Sequence, residues 1–169
     1  MAQQTFFSFF GLSPLFAIDL NELEARHIQA MKKVHPDLYA DRSATERRLA
    51  QQWSTRLNEA YQTLKDPVKR ASYLCQLAGF DVGAETNTAM PMDFLMTQMQ
   101  WRETFEQVQG DAEQSQQLAS DVQKTYEETL TALRTALDEK HDYEQAVNLT
   151  RQLMFIAKFK QQLQQASKQ

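Results

Sequence analysis

The sequence predicts an all-α protein built from two helical modules. Three observations carry that reading. Only four Gly and four Pro occur in 169 residues, and the long stretches are filled by Gln, Leu, Ala, Glu and Lys, which are good helix formers. Apolar residues recur at spacings of three and four between clear stop signals. Charge is also unevenly divided: residues 1–80 carry ten Lys/Arg against eight Asp/Glu, and residues 81–169 carry eight against fourteen. That asymmetry suggests two modules with different partners. The composition, 42% hydrophobic and 24% charged, is that of a globular chain and not of a disordered one.

Taken in order, Thr5 to Phe10 is too short for a stable free helix. Phe rings are expected to press one or two helical turns onto the core. Gly11 closes them as a C-terminal cap, and Ser13-Pro14 prevents continuation. Asp19 then starts a helix, with Glu22 completing a capping-box pattern. Its stripe is Leu20, Leu23, His27, Met31 and Val34. It must end at His35, because a residue before proline is driven out of the α region. Ser43 and Glu46 form a second capping box. The helix they open has the stripe Leu49, Trp53, Leu57, Ala60, Tyr61 and Leu64, and Asp66-Pro67 stops it. Pro67 can begin a further short helix with Val68, Ala71, Tyr73, Leu74 and Leu77, ended by Gly79. Residues 1–79 therefore form one module, an antiparallel helix pair with short flanking helices.

Residues 80–91 lack periodicity and read as a linker. Residues 92–169 form the second module, with helices expected over 92–109, 112–139 and 142–166. Leu118, Val122, Tyr126, Leu130, Leu133 and Leu137 mark one core face, and Ala146, Leu149, Leu153, Ile156 and Leu163 another. Short connections make neighbours antiparallel, which gives a three-helix bundle.

The first bundle helix has apolar residues on two faces. At ~100° per residue, Phe94, Trp101, Phe105 and Val108 fall within roughly 60° of one another. Leu95, Met96 and Met99 project to the other side, alongside Gln100, Glu103 and Gln107. On the last helix Phe155, and in part Phe159, also leaves the core stripe. Two uses for this second face remain open: packing on the first module, or presenting an apolar patch to a protein partner.

Several function classes find no support. Cys75, the one cysteine, sits among Tyr73, Leu74 and Leu77 and reads as a core residue. His27, His35 and His141 are far apart and offer no metal-ligand spacing. There is no phosphate-cradling Gly loop, no G-x-S-x-G and no C-x-x-C. We expect no catalytic residue, no metal site, no cofactor and no enzymatic activity of the chain itself. Net charge is −4 with a pI near 5.4, which argues against a nucleic-acid binder. No run approaches membrane-spanning length. Met1-Ala2-Gln3-Gln4 lacks the positive start of a secretory signal, so the expected setting is cytoplasmic and reducing.

What remains is the loop Val34-His35-Pro36-Asp37. Pro36 restricts the conformations of its neighbours. Asp37 offers a carboxylate suited to an Arg fork on another protein. Arg26, Lys32 and Lys33 on the preceding helix can steer an acidic surface, and Arg42, Arg47 and Arg48 extend that charge.

Helix, His-Pro-Asp, helix, followed by the run from Leu57 through Asn58-Glu59-Ala60-Tyr61 to Asp66-Pro67, resembles a J-domain. Two positions depart from the common pattern: Val34 stands where many J-domains have Tyr, and Leu38 where they have Lys. After the module come Arg70-Ala71-Ser72-Tyr73-Leu74, Gly79-Phe80-Asp81, Asp93-Phe94-Leu95-Met96 and the bundle. That layout resembles the HscB family of J-domain co-chaperones over essentially the whole chain. The resemblance implies that His35, Pro36 and Asp37, with Arg26, Lys32 and Lys33, engage the DnaK-type chaperone HscA and stimulate its ATPase. It implies that the bundle binds the iron–sulfur scaffold IscU through Leu95, Met96, Met99, Gln100, Glu103, Gln107 and Phe155. Gln100 and Gln107 stand at positions that are acidic in the family. The alternatives are a J-domain co-chaperone for another client, or a helical adaptor in which His-Pro-Asp is incidental.

Overall fold

Residues 4–83 and 90–167 are described by the computed structural model, and all their regular structure is helical. The chain divides into two compact units, Met1–Leu74 and Cys75–Gln169.

In the first unit, α1 (Phe6–Phe9) is a single turn held at both ends. The Ser8 N–H donates to Thr5 Oγ1, and the Thr5 N–H donates to Ser8 Oγ at 2.8 Å, a reciprocal capping box. At its C-terminus Gly11 adopts φ 64°. Its N–H donates to the Ser8 carbonyl, and the Leu12 N–H donates to that of Phe7. This is the paired bonding of a glycine-closed helix end.

Helix α2 (Leu20–Lys33) starts as expected at Asp19, whose carboxylate accepts from the N–H groups of Asn21 and Glu22. Glu22 does not reach back to complete the box; it pairs with Arg26 at 2.7 Å. Helix α3 (Ala44–Lys65) repeats this pattern: Ser43 caps the Glu46 N–H, and the Glu46 carboxylate lies 3.9 Å from Arg42. Helix α4 (Pro67–Leu77) starts on Pro67, with Asp66 accepting from the Lys69 N–H.

The core of this unit is Phe7, Phe10, Phe16, Leu23, Ala50, Leu57, Ala60, Leu64, Ala71 and Leu74. Most of the expected stripes are buried or half-buried, but Leu20, Leu49, Trp53 and, at the end of α4, Leu77 are exposed. For α3 the reason is length. His27 of α2 pairs with Asn58 of α3. Counting antiparallel from that pair, the first two turns or so of α3 run beyond the end of the shorter α2. There Ala50 turns inward and Leu49 outward. Trp53 instead meets Phe9 edge-on and lies under the guanidinium of Arg56.

In the second unit, α5 (Met92–Gln107), α6 (Ala112–Arg134) and α7 (Tyr143–Ser167) form the bundle. Phe94, Trp101 and Val108 pack with Leu118, Val122, Ile156 and Phe159, and Trp101 stacks on Phe159. Phe159 is therefore core, whereas Phe155 is exposed. Helix α6 ends in a wide turn, Thr135–Glu139, in which the Lys140 N–H donates to the Thr135 carbonyl. His141 follows at φ 52°. The expected helix over 112–139 thus changes its hydrogen-bonding pitch in its last turn.

The N-terminal part of this unit packs on α7. Phe80 stacks on Tyr143, and the buried Arg151 donates from Nε to the Val82 carbonyl at 2.8 Å. Residues 80–83 of the expected linker are thereby fixed, and 84–89 lie outside the described residues.

Candidate functional site

The loop between α2 and α3 is a short tight helical turn, Pro36–Tyr39. His35 stays extended at φ −61°, ψ 136°, as a residue before proline must. Its Nδ1 accepts a hydrogen bond from the Asp37 N–H at 3.2 Å. A neutral imidazole in that arrangement carries its proton on Nε2 and presents it outward as a donor. The Asp37 carboxylate lies 3.7 Å from Nδ1 and its side chain is 92% exposed. The Leu38 N–H closes the turn on the His35 carbonyl, and the Tyr39 hydroxyl donates to the Lys33 carbonyl at 3.1 Å. Tyr39 thus anchors the turn to the end of α2.

The result is a donor and an acceptor side by side on a braced, solvent-facing turn. No group of three or more His, Cys, Asp or Glu able to hold a metal occurs among the described residues. The turn can offer paired hydrogen bonds and one negative charge to another protein.

Lys32 and Lys33 are exposed in the last turn of α2, where cations are favoured by the helix dipole. Arg26 lies two turns earlier, and its guanidinium is already engaged. Nη1 donates to the carbonyls of Phe10 and Gly11 at 2.9 and 3.2 Å, and Nη2 pairs with Glu22. Arg26 therefore ties the end of α1 to α2 while staying half-exposed.

The spacing between α2 and α3 is set by His27. Its ring stacks on Tyr61 with centroids 4.2 Å apart, meets Phe10 edge-on, and lies 3.0 Å through Nε2 from Asn58 Oδ1. Asn58 and Tyr61 of the Asn-Glu-Ala-Tyr run thus act together on one partner in α2. Periodicity placed His27 on the core stripe but gave no sign of this polar pairing.

The second surface lies on α5. Leu95, Met96, Met99, Gln100, Glu103 and Gln107 are all exposed, Met96 and Met99 at 62% and 72%. Phe155 on α7 is 51% exposed. Gln100 also lines a groove between α5 and α6 of about 340 Å³, together with Trp101, Thr104, Gln117 and Asp121. Sequence reasoning missed two further exposed apolar side chains: Met92, which shares the face of Met96 and Met99, and Met154, beside Phe155. The spacing 92, 96, 99 was the available signal for the first.

Cys75 is buried, and desolvation pushes its thiol up from an ordinary 9.0 to about 11, against a smaller opposing effect of its hydrogen bond with Thr150. It is a packing residue with no access to a reactant. No helix among the described residues is long and apolar enough to cross a membrane.

A DnaJ-domain family model matches residues 5–73, and a model described as the HSCB C-terminal oligomerisation domain matches residues 90–164. A helix pair with an exposed His-Pro-Asp turn, followed by a helical bundle, defines a J-domain co-chaperone, a class that works with a DnaK-type ATPase. The co-chaperone protein HscB homolog of Bordetella petrii is 45% identical over 163 residues, which cover 96% of each chain. Among solved structures, the chaperone HscB from Vibrio cholerae matches with a TM-score of 0.87 and 32% identity over 98% of both chains. Human co-chaperone protein HscB matches with a TM-score of 0.90 and 26% identity over 97% of this chain and 82% of that one. The chain belongs to the HscB co-chaperone family.

Proposed function

We propose that this co-chaperone carries the iron–sulfur scaffold IscU on its bundle and delivers it to the ATP-bound form of the chaperone HscA, in the cytoplasm. The carrying observation is that one chain exposes two surfaces of different chemistry. One is the polar, braced His35-Pro36-Asp37 turn beside Lys32 and Lys33. The other is the outward face of α5, with Leu95, Met96 and Met99 rimmed by Gln100, Glu103 and Gln107, and with Phe155 on α7. Each is formed within its own unit and shares no residue with the other. In this proposal one molecule holds client and chaperone at once, each on its own unit.

The chain supplies no chemistry of its own in this scheme. Hydrolysis belongs to HscA, and the turn favours the hydrolysing state by binding it better than the alternatives. The α5 face supplies affinity for the client through adaptable methionine and leucine side chains. The test is the affinity of the purified chain for IscU, measured beside an unrelated unfolded protein. Selective binding of IscU is expected. Equal capture of both would replace this reading with that of a co-chaperone for another client.

A further inference from the structure

Of the Met side chains in the described residues, those at 31 and 90 are half-buried, and those at 92, 96, 99 and 154 are exposed. The exposed ones are not scattered. At ~100° per residue, 92, 96 and 99 fall within roughly 60° of one another, on the side of α5 opposite Phe94, Trp101 and Val108. Met154 directly precedes the exposed Phe155. The only thiol in the chain, Cys75, is fully buried. Its thiol is held protonated at neutral pH, since its pKa is pushed up to about 11 by burial. Among the described residues, the sulfur that a solvent oxidant can reach is therefore thioether sulfur, concentrated on the face assigned to the client.

We propose that Met96 and Met99, with Met92 and Met154 at the margins, form a reversible oxidation switch that controls client binding. This rests on the client reading of the α5 face. The oxidant is a peroxide. The thioether sulfur attacks one peroxide oxygen, the O–O bond breaks and an S–O bond forms. Sulfur is oxidised by two electrons, and the other oxygen leaves as water after taking up the protons. The reverse step belongs to a thiol-dependent methionine sulfoxide reductase, which removes the oxygen as water while two thiols become a disulfide. Sulfoxidation turns a flexible apolar side chain into a polar one. On a contact face it would place strong acceptors where the partner offers apolar atoms, and desolvating them opposes binding. The His35-Pro36-Asp37 turn contains no sulfur, so its action on the ATPase is left intact. An oxidised chain would keep its chaperone-directed surface and lose its client.

The test uses the full chain treated with hydrogen peroxide, with sulfoxides located by peptide mass spectrometry and IscU affinity measured by calorimetry. Oxidation at Met96 and Met99 is expected to weaken IscU binding at least tenfold, with HscA stimulation in the absence of IscU unchanged. Incubation with methionine sulfoxide reductases and a thiol is expected to restore the affinity. A Met96→Leu/Met99→Leu chain, compared only with its own untreated affinity, is expected to lose far less affinity on peroxide treatment than wild type, since only Met92 and Met154 at the margins remain to oxidise. Unchanged IscU affinity in wild-type protein carrying mapped sulfoxides at both positions would overturn the switch while leaving the client reading standing. Absence of IscU binding before any oxidation would overturn both.

Discussion

The Asp37 carboxylate makes no demand on the fold: its side chain is 92% exposed, and it is the residue's backbone N–H that closes on His35. Asp37→Asn should therefore leave thermal stability unchanged and IscU binding intact, while lowering HscA ATPase stimulation at least tenfold. Circular dichroism, calorimetry and a single-turnover ATPase assay separate these readouts. Gly11 presents the opposite case. It holds φ 64°, and an added Cβ would stand 2.7 Å from the Arg26 Nη1. Gly11→Ala should destabilise the first unit by about 1–2 kcal/mol from the left-handed backbone alone, with a further loss from displacing Arg26. A lowered denaturation midpoint checks this. Cys75 gives a pH dependence. Its thiol goes from an ordinary 9.0 to about 11 on burial. The folded state thus favours the neutral form, and its contribution is full below pH 9 and lost as pH rises towards 11. Chemical denaturation of wild type and Cys75→Ala across that range should show a steeper decline for wild type. Equal slopes would contradict the assignment of burial as the cause. At this scale the sequence was legible for Cys75, Gly11 and the His-Pro-Asp turn, since each follows from local rules. It was silent on Arg26, whose partners Phe10 and Gly11 lie 16 and 15 residues away.

Among the elements, the legible features were those fixed by neighbours in sequence: caps at Asp19 and Ser43, the start on Pro67, the stops at Gly11 and Gly79. The glutamates of the two capping boxes were misplaced because a nearby arginine offers a full charge in place of a backbone N–H. The exposure of Leu49 was not legible from periodicity, because it depends on α3 being longer than the helix it pairs with, and that of Trp53 was not, because its ring packs on Phe9 of α1. The outward face of α5 was legible because its apolar residues fall opposite a well-defined core stripe. Leu95→Ala combined with Phe155→Ala removes two exposed apolar side chains and should leave the helical signal intact. Anchors of this kind typically contribute ~2 kcal/mol or more each to binding, so IscU affinity should fall by more than tenfold. Calorimetry together with circular dichroism checks both halves of that statement, and loss of helicity would mean that these residues hold the bundle together.

In the whole molecule, two compact units each carry one surface, and the division falls within α4, between Leu74 and Cys75. The uneven charge of the two halves had indicated two modules. The separate tasks proposed for them rest on the resemblance and on the two exposed surfaces taken together, since neither surface alone implies a delivery function. In the proposed function, client and ATPase are coupled through this chain. The most direct measurement is the steady-state ATPase rate of HscA with this chain, with IscU, and with both. Modest stimulation is expected with the chain alone, and with both present a rate that exceeds the product of the separate effects. Asp37→Asn is expected to abolish that excess. A rate with both present equal to that with the chain alone would contradict the coupling.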